Sequence, residues 1–296
     1  MHGIGNDYVC IYTQRSEIPY PGKTAQIISD PHFGIGSDGL VLILPSEQAD
    51  FRIEAYDPDG TDRQMYGNAI LCGAKFIYES GLSCKPELKL ETATGIKTVW
   101  LHTAGGRVSQ ITVNMGKPIF EPPLIPVQTK YLEVCNEPIQ IGEETYKMTC
   151  VALGTPHTVV FTDRVETLSL HRLGPAFEKH PRFPDHTNAE FVQVINRSCL
   201  RIRTWERGIG ETAASANCAC AVLAAAVKTG RCEPRVTARL NGGDLLIEVD
   251  SLTGEINFTG NAAFVFEGWL ETPLCGTSAG TKARGSGARR HIITTK

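Results

Sequence analysis

The sequence predicts an α+β protein of two lobes, each a β-sheet wrapped around a central helix. Three observations predict it: an internal duplication, one helix at the same place in each copy, and many short strand-like runs between. At an offset of 149 residues, which carries Phe51 onto Leu200, the segment Phe51–Asp57 (FRIEAYD) falls on Leu200–Glu206 (LRIRTWE) without a gap. The same register sets Asp62 on Glu211, Asn68 on Asn217 and Gly81 on Gly230, and Gly5–Val9 (GNDYV) on Gly154–Thr158 (GTPHT). Identities are few. What carries the reading is one register holding from Gly5 to Gly81.

Each copy runs from a strand into a turn and then a helix. Phe51, Ile53 and Ala55 alternate with polar residues, as do Leu200, Ile202 and Thr204, which is the period of a strand. The helices are expected from about Asn68 to Ser80 and from Asn217 to Thr229, each closed by a glycine, Gly81 or Gly230. The second is almost wholly Ala, Val, Leu and Cys. A helix apolar on every side is buried, and a sheet around it satisfies both elements. Further strand-like runs are Leu40–Ile43, Leu88–Glu91, Lys97–Leu101, Gln110–Val113, Val159–Phe161, Phe191–Val194, Leu245–Val249 and Phe264–Phe266.

The proline-rich stretch Lys117–Pro123 is read as the crossing between lobes. The expected division is residues 1–115 plus 261–275 for the N-terminal lobe and 116–260 for the C-terminal lobe. Residues 276–296, rich in Gly, Ser, Thr, Lys and Arg, are read as a disordered tail.

Composition excludes several classes. The 296 residues are 42% hydrophobic and 21% charged with a formal charge of −3, which argues against nucleic acid or an anionic membrane as partner. No apolar run nears the ~20 residues that span a bilayer. The start lacks the basic and apolar regions of a signal peptide, so a cytoplasmic protein is expected. Ten scattered cysteines show no paired CxxC spacing, and Cys218-Ala219-Cys220 lies inside the alanine-rich helix. They are read as reduced, mostly buried thiols, and no metal site is expected.

A pseudo-two-fold relation between the copies would let the two helix N-termini meet across an interdomain cleft. Helix starts present unpaired amides and a positive dipole end, so Gly67-Asn68 and Ala216-Asn217 together would grip a carboxylate. The plainer reading makes Asn68 and Asn217 ordinary helix caps.

Up to about Leu270 the chain resembles the diaminopimelate epimerase family. The segments that carry the resemblance are Met1–Tyr8 (MHGIGNDY), Gly34–Gly39 (GIGSDG), Asp59-Gly60-Thr61, Gly154–His157 (GTPH), Thr187-Asn188 and Trp205–Thr212 (WERGIGET). The resemblance implies two mirrored lobes, each a curved mixed β-sheet around a central helix. It implies epimerisation of LL- to meso-diaminopimelate in lysine and cell-wall biosynthesis without pyridoxal phosphate or other cofactor, and a homodimer. It also implies a first strand that is short or absent, because family members carry a few more residues ahead of it.

Inversion at an amino-acid α-carbon without a cofactor needs two acid/base groups on opposite faces. The family uses two cysteines, whose unperturbed pKa of roughly 8.5 a helix N-terminus lowers. Those positions hold Tyr66 and Ser215 here. Cys72 and Cys220 match non-catalytic cysteines, and Cys218, one turn beyond Ser215, is the only nearby replacement thiol, read as a packing residue. His157 and Glu206 match residues that tune the cysteines and form the best cysteine-free acid/base pair, as in the phenazine-biosynthesis isomerases of the same fold.

The resemblance places the small-molecule amino-acid substrate against Asn6, Gly39, Asp57, Gly67, Asn68, Thr155, Asn188, Glu206, Arg207, Ala216 and Asn217. Asp57 and Thr155 replace the family's asparagines, and Ala69 a glycine. Arg207 would take a carboxylate bidentately; otherwise it forms a salt bridge with Glu206 or Glu211. Two functions follow. One is an isomerase with altered or lost two-base chemistry, the other an inactive or regulatory paralogue that binds a small amino acid. A laboratory knockout is disfavoured by the accompanying Ala69, Ala216, Asn217 and Cys218.

Overall fold

A computed structural model describes residues 1–62, 67–269 and 291–294. The chain divides into two compact units, Met1–Ile111 with Asn261–Lys296, and Thr112–Gly260. The division falls within the strand Arg107–Gly116, shortly before the proline-rich stretch.

The duplication extends to topology. In the first unit Val9–Tyr12 runs parallel to Leu40–Leu44, which is antiparallel to Phe51–Tyr56. That strand is parallel to Glu87–Thr92, itself antiparallel to Gly95–Ala104. The second unit repeats the sequence of senses with Pro156–Phe161, Asn188–Asn196, Cys199–Glu206, Arg235–Leu240 and Gly243–Val249. Both units are therefore mixed sheets. The bridge Tyr56–Asp62 has its counterpart in Trp205–Glu211, at the same offset.

Four α-helices occur among the described residues: α1 Pro21–Ser29, α2 Gly67–Glu79, α3 Leu170–Glu178 and α4 Ala216–Lys228. The pairs α1/α3 and α2/α4 each obey the 149-residue offset, from Pro21 to Leu170 and from Gly67 to Ala216. Within its own unit α4 packs against Glu144–Ala152, Pro156–Phe161, Asn188–Asn196, Gly243–Val249 and Ile256–Gly260, and it is buried from Ala216 to Ala226. The first-unit helix α2 packs against Val9–Tyr12, Leu40–Leu44, Phe51–Tyr56 and Gly95–Ala104. A charged residue on so buried a helix needs partners, and Lys75 donates to Glu79 Oε1 at 2.7 Å and to the Val108 carbonyl at 2.6 Å.

Both central helices end the same way. Gly81 and Gly230 have φ of +73° and +70°, a conformation that suits glycine. Their amides bond back to Tyr78 O and Val227 O, and the next amides, Leu82 and Arg231, to Ile77 O and Ala226 O. This double bond pattern satisfies the last carbonyls of each helix.

The first strand, His2–Gly3, is two residues long. Of the run Phe264–Phe266 only Phe266 is in a strand, Phe266–Trp269. Most of the expected tail lies outside the described residues; His291–Thr294 form a strand paired with Phe266–Trp269. No helix among the described residues is long and apolar enough to cross a membrane.

In the second unit the core gathers Phe177, Phe183, Phe191 and Val160, with Trp205 packed at its side. Gly174 in α3 lies under the Trp205 ring, where an added Cβ would stand 2.1 Å from Cδ2. The indole cannot yield freely, because its Nε1 donates to Glu178 Oε2 at 2.7 Å. Gly174→Ala is expected to destabilise by about 1–3 kcal/mol and to shift Trp205 fluorescence, both readable in one urea titration.

Candidate functional site

The second unit holds most of the predicted residues. Strand Cys199–Glu206 ends in a turn that carries Glu206 and Arg207, and Gly208 takes φ +78° within it. Glu178, at the end of α3, pins this turn by accepting from Trp205 Nε1 at 2.7 Å and from Gly208 N at 3.1 Å. Arg207 N donates to Asn188 Oδ1 at 2.9 Å, and Arg207 Nη1 to the Asp185 carbonyl at 2.8 Å. The guanidinium is thus held in place without a carboxylate partner among the described residues. Glu211, a candidate partner from the sequence, pairs with Arg203 at 2.8 Å.

Asn188 binds three neighbours. Its Nδ2 donates to Pro156 O at 3.0 Å and Thr155 Oγ1 at 3.4 Å, while its Oδ1 holds Arg207. These bonds make Asn188 the brace between the Gly154–His157 turn and the Arg207 turn.

Ser215 is the N-cap of α4, with extended φ −140° and ψ 113°, and its Oγ accepts from Cys218 N. Ser215 Oγ also donates to Glu206 Oε2 at 3.2 Å, tying the helix start to the end of the strand. Ala216 and Asn217 fill the first helical turn and are buried, so the cap of α4 is Ser215 rather than Asn217.

His157 and Glu206 hold different partners. His157 Nδ1 lies 2.6 Å from Glu190 Oε1, and both side chains are 0% exposed. His157 Nε2 lies 2.9 Å from Thr155 Oγ1. With Nδ1–H donated to Glu190, Nε2 accepts from the Thr155 hydroxyl, which is half-buried and brings the imidazole's reach toward solvent. Glu190 was not singled out from the sequence. The available signal was a carboxylate inside the buried strand run Asn188–Val192.

Cys218 also belongs to this buried group. One donor atom from each of His157, Glu190 and Cys218 lies within 4.8 Å of the others. Burial, then the charges of Glu190 and Glu206, push the Cys218 thiol well above its ordinary value. A thiol so disfavoured as thiolate is no base at neutral pH. Cys220 is buried in the same helix.

The first unit carries the remaining predicted residues on the elements equivalent under the duplication. Strand Phe51–Tyr56 leads into a turn where Asp57 N bonds to Thr61 O and Gly60 N to Asp57 O, both at 2.9 Å. Gly67, Asn68 and Ala69 open α2 and are buried. Strand His2–Gly3 lies against this helix start, since a Cβ on Gly3 would stand 2.7 Å from Asn68 O. Asn6, in the paired strand, donates to Tyr8 Oη at 3.5 Å. Gly39 passes close to the end of strand Phe51–Tyr56, where a Cβ would stand 2.5 Å from Tyr56 O. Cys72 is buried beside Cys10, and burial followed by that neighbour raises its thiol well above the ordinary range. Tyr66 lies outside the described residues.

The sequence profile of diaminopimelate epimerase matches residues 1–121 and 149–265. A diaminopimelate epimerase of Acetivibrio thermocellus is 44% identical over 271 residues, covering 92% of this chain and 97% of that protein. One from Methanococcus maripaludis is 43% identical, with 92% and 98% coverage. Among solved structures, a hydroxyproline epimerase from Agrobacterium vitis with bound trans-4-hydroxy-L-proline has a TM-score of 0.63. It is 17% identical and covers 81% of this chain and 77% of its own. A phenazine biosynthesis protein from Bacillus anthracis has a TM-score of 0.56 at 15% identity, with 80% and 84% coverage. These two likenesses show a shared fold.

Proposed function

Because the chain belongs to the diaminopimelate epimerase family, we propose that it is a cofactor-independent amino-acid isomerase whose proton transfer uses groups other than two thiols. Diaminopimelate is the first substrate to test, and another small amino acid the second. The observation that carries this reading is Arg207, whose backbone amide is held by Asn188 and whose guanidinium donates to the Asp185 carbonyl, with no carboxylate partner among the described residues. A guanidinium so fixed suits a substrate carboxylate, bound through two parallel N–H donors. Amides at the start of α4 supply further partial positive charge.

Arg207→Ala is expected to weaken amino-acid binding roughly ten- to hundredfold, the worth of a charge-assisted hydrogen bond. Calorimetry reads the change. An unaltered affinity would remove Arg207 from the binding role.

Three candidates are offered for the proton. Ser215 and Glu206 share a hydrogen bond of 3.2 Å and stand at the helix start. His157 is fully buried, and Thr155 Oγ1 links it to the surface. Tyr66, at the position equivalent to Ser215 under the duplication, is the third candidate. Incubation with LL-diaminopimelate in deuterated water tests the proposal. Deuterium at the α-carbon supports it, and no exchange at high enzyme concentration removes diaminopimelate as substrate.

A second reading is a paralogue that binds an amino acid without turning it over. It is favoured by the protonated, buried state of Cys218, which leaves no replacement thiol in this half.

A further inference from the structure

We infer that His157, Glu190 and Cys218 form a binding site for a divalent ion of the zinc type. One donor from each, an imidazole nitrogen, a carboxylate oxygen and the thiol sulfur, lies within 4.8 Å of the others. None of the three side chains exceeds 1% exposure. Donors around a tetrahedral ion with bonds of about 2.0–2.3 Å stand roughly 3.5 Å apart. The widest separation would therefore close by about an ångström, while the His157–Glu190 contact opens to admit the ion.

Three features favour an ion over a dry cluster. First, Glu190 Oε2 is buried with no nitrogen or oxygen donor, only the weakly donating Cys218 thiol beside it, although Oε1 is matched to His157. A carboxylate oxygen so weakly matched in a protein interior is costly and calls for a stronger donor or a cation. Second, a dication with one carboxylate, one thiolate and one neutral imidazole has no net charge, which suits a core without solvent. Third, the outer support of the imidazole already stands in place. With the ion on Nδ1 the ring proton sits on Nε2, 2.9 Å from Thr155 Oγ1, and Asn188 Nδ2 braces that oxygen from 3.4 Å. Liganding histidines ordinarily donate their other nitrogen in this manner.

The donor set selects the ion. Sulfur and imidazole suit zinc and disfavour magnesium and calcium, which take oxygen. Proton balance is simple: the ring proton moves from Nδ1 to Nε2, and the thiol proton leaves for solvent as sulfur binds. Three protein donors leave the fourth tetrahedral position open. The site departs from the expectation, drawn from cysteine spacing, that the chain has none.

The test uses full-length protein stripped with chelator, reloaded with zinc and freed of loose ions by gel filtration. About one zinc per chain is expected by mass spectrometry, falling at least tenfold in Cys218→Ala and Glu190→Gln. Cobalt-loaded wild type should show a near-ultraviolet thiolate-to-cobalt band that Cys218→Ala lacks. Wild type holding less than about a tenth of an equivalent overturns the site, as does a Cys218→Ala protein with undiminished zinc. Should that variant fail to fold by circular dichroism, the wild-type cobalt spectrum decides, and absence of the band overturns the site. Metal content is read without substrate, so this result and α-proton exchange stand or fall separately.

Discussion

Tyr66→Cys combined with Ser215→Cys is expected to raise α-proton exchange on LL-diaminopimelate by at least about 100-fold, the usual worth of a positioned acid/base group. A serine hydroxyl ionises far above neutrality, whereas a thiol starts near pH 8.5 and falls further at a helix N-terminus. Ser215 caps α4 with its oxygen 3.2 Å from Glu206 Oε2, so a cysteine there would sit at the positive end of the helix beside a carboxylate able to take its proton. Inversion requires one group to remove the proton and another to return it, so each single variant should gain much less than the pair. Exchange measured by NMR in deuterated water, with the epimer ratio followed in parallel, reads both effects. A double variant no faster than wild type would mean that Asp57 and Thr155 have changed the substrate.

His157→Leu is expected to cost about 1–3 kcal/mol in metal-free protein, because it removes the hydrogen-bond partner of a fully buried carboxyl group. The imidazole is the hydrogen-bond partner of Glu190 Oε1 at 2.6 Å, and Oε2 has no nitrogen or oxygen donor. Without the ring, a carboxylate at 0% exposure keeps only the weak Cys218 thiol donor beside it. Removing both, His157→Leu with Glu190→Leu, should recover much of the loss, because an apolar pair of similar volume avoids the desolvation term. Urea denaturation with an unchanged slope would show this as a lower midpoint for the single variant only. A single-variant loss below about 1 kcal/mol would place solvent at the pair and contradict its burial.

Much of this arrangement was legible in the residues, and the exceptions have physical causes. The central helices were placed to within a residue because a glycine in the left-handed conformation closes each and the 149-residue offset relates their starts. The companion pair α1 and α3 obeys the same offset, but local sequence signals argue against helix at both. Pro21-Gly22 opens α1 and Gly174-Pro175 lies inside α3, and such pairs ordinarily signal a turn or a break. In α3 the sheet side supplies what propensity does not, with Leu170, Leu173 and Phe177 buried.

The candidate site divides along similar lines. Arg207 and Asn188 were found by motif, but their mutual bond was not, since it joins two turns 19 residues apart. His157 and Glu206 stand as the candidate acid/base pair, and the parallel register of Pro156–Phe161 and Asn188–Asn196 adds Glu190 beside His157, a partner the motifs do not name. Pairing across a parallel sheet depends on register, which the sequence constrains weakly where residues of both faces are buried, as along His157–Val160 and Asn188–Val192. Glu206 bonds to Ser215, through the tie between strand end and helix start.

The central claim is that this family member still moves an α-proton without a thiol pair. The most direct measurement combines calorimetry and deuterium incorporation on the same protein, over diaminopimelate isomers and small amino acids. The account predicts at least one amino acid that binds saturably and returns from deuterated water labelled at the α-carbon with its configuration scrambled. Saturable binding with no deuterium in any bound amino acid after days would contradict it, and would assign the chain to amino-acid binding alone.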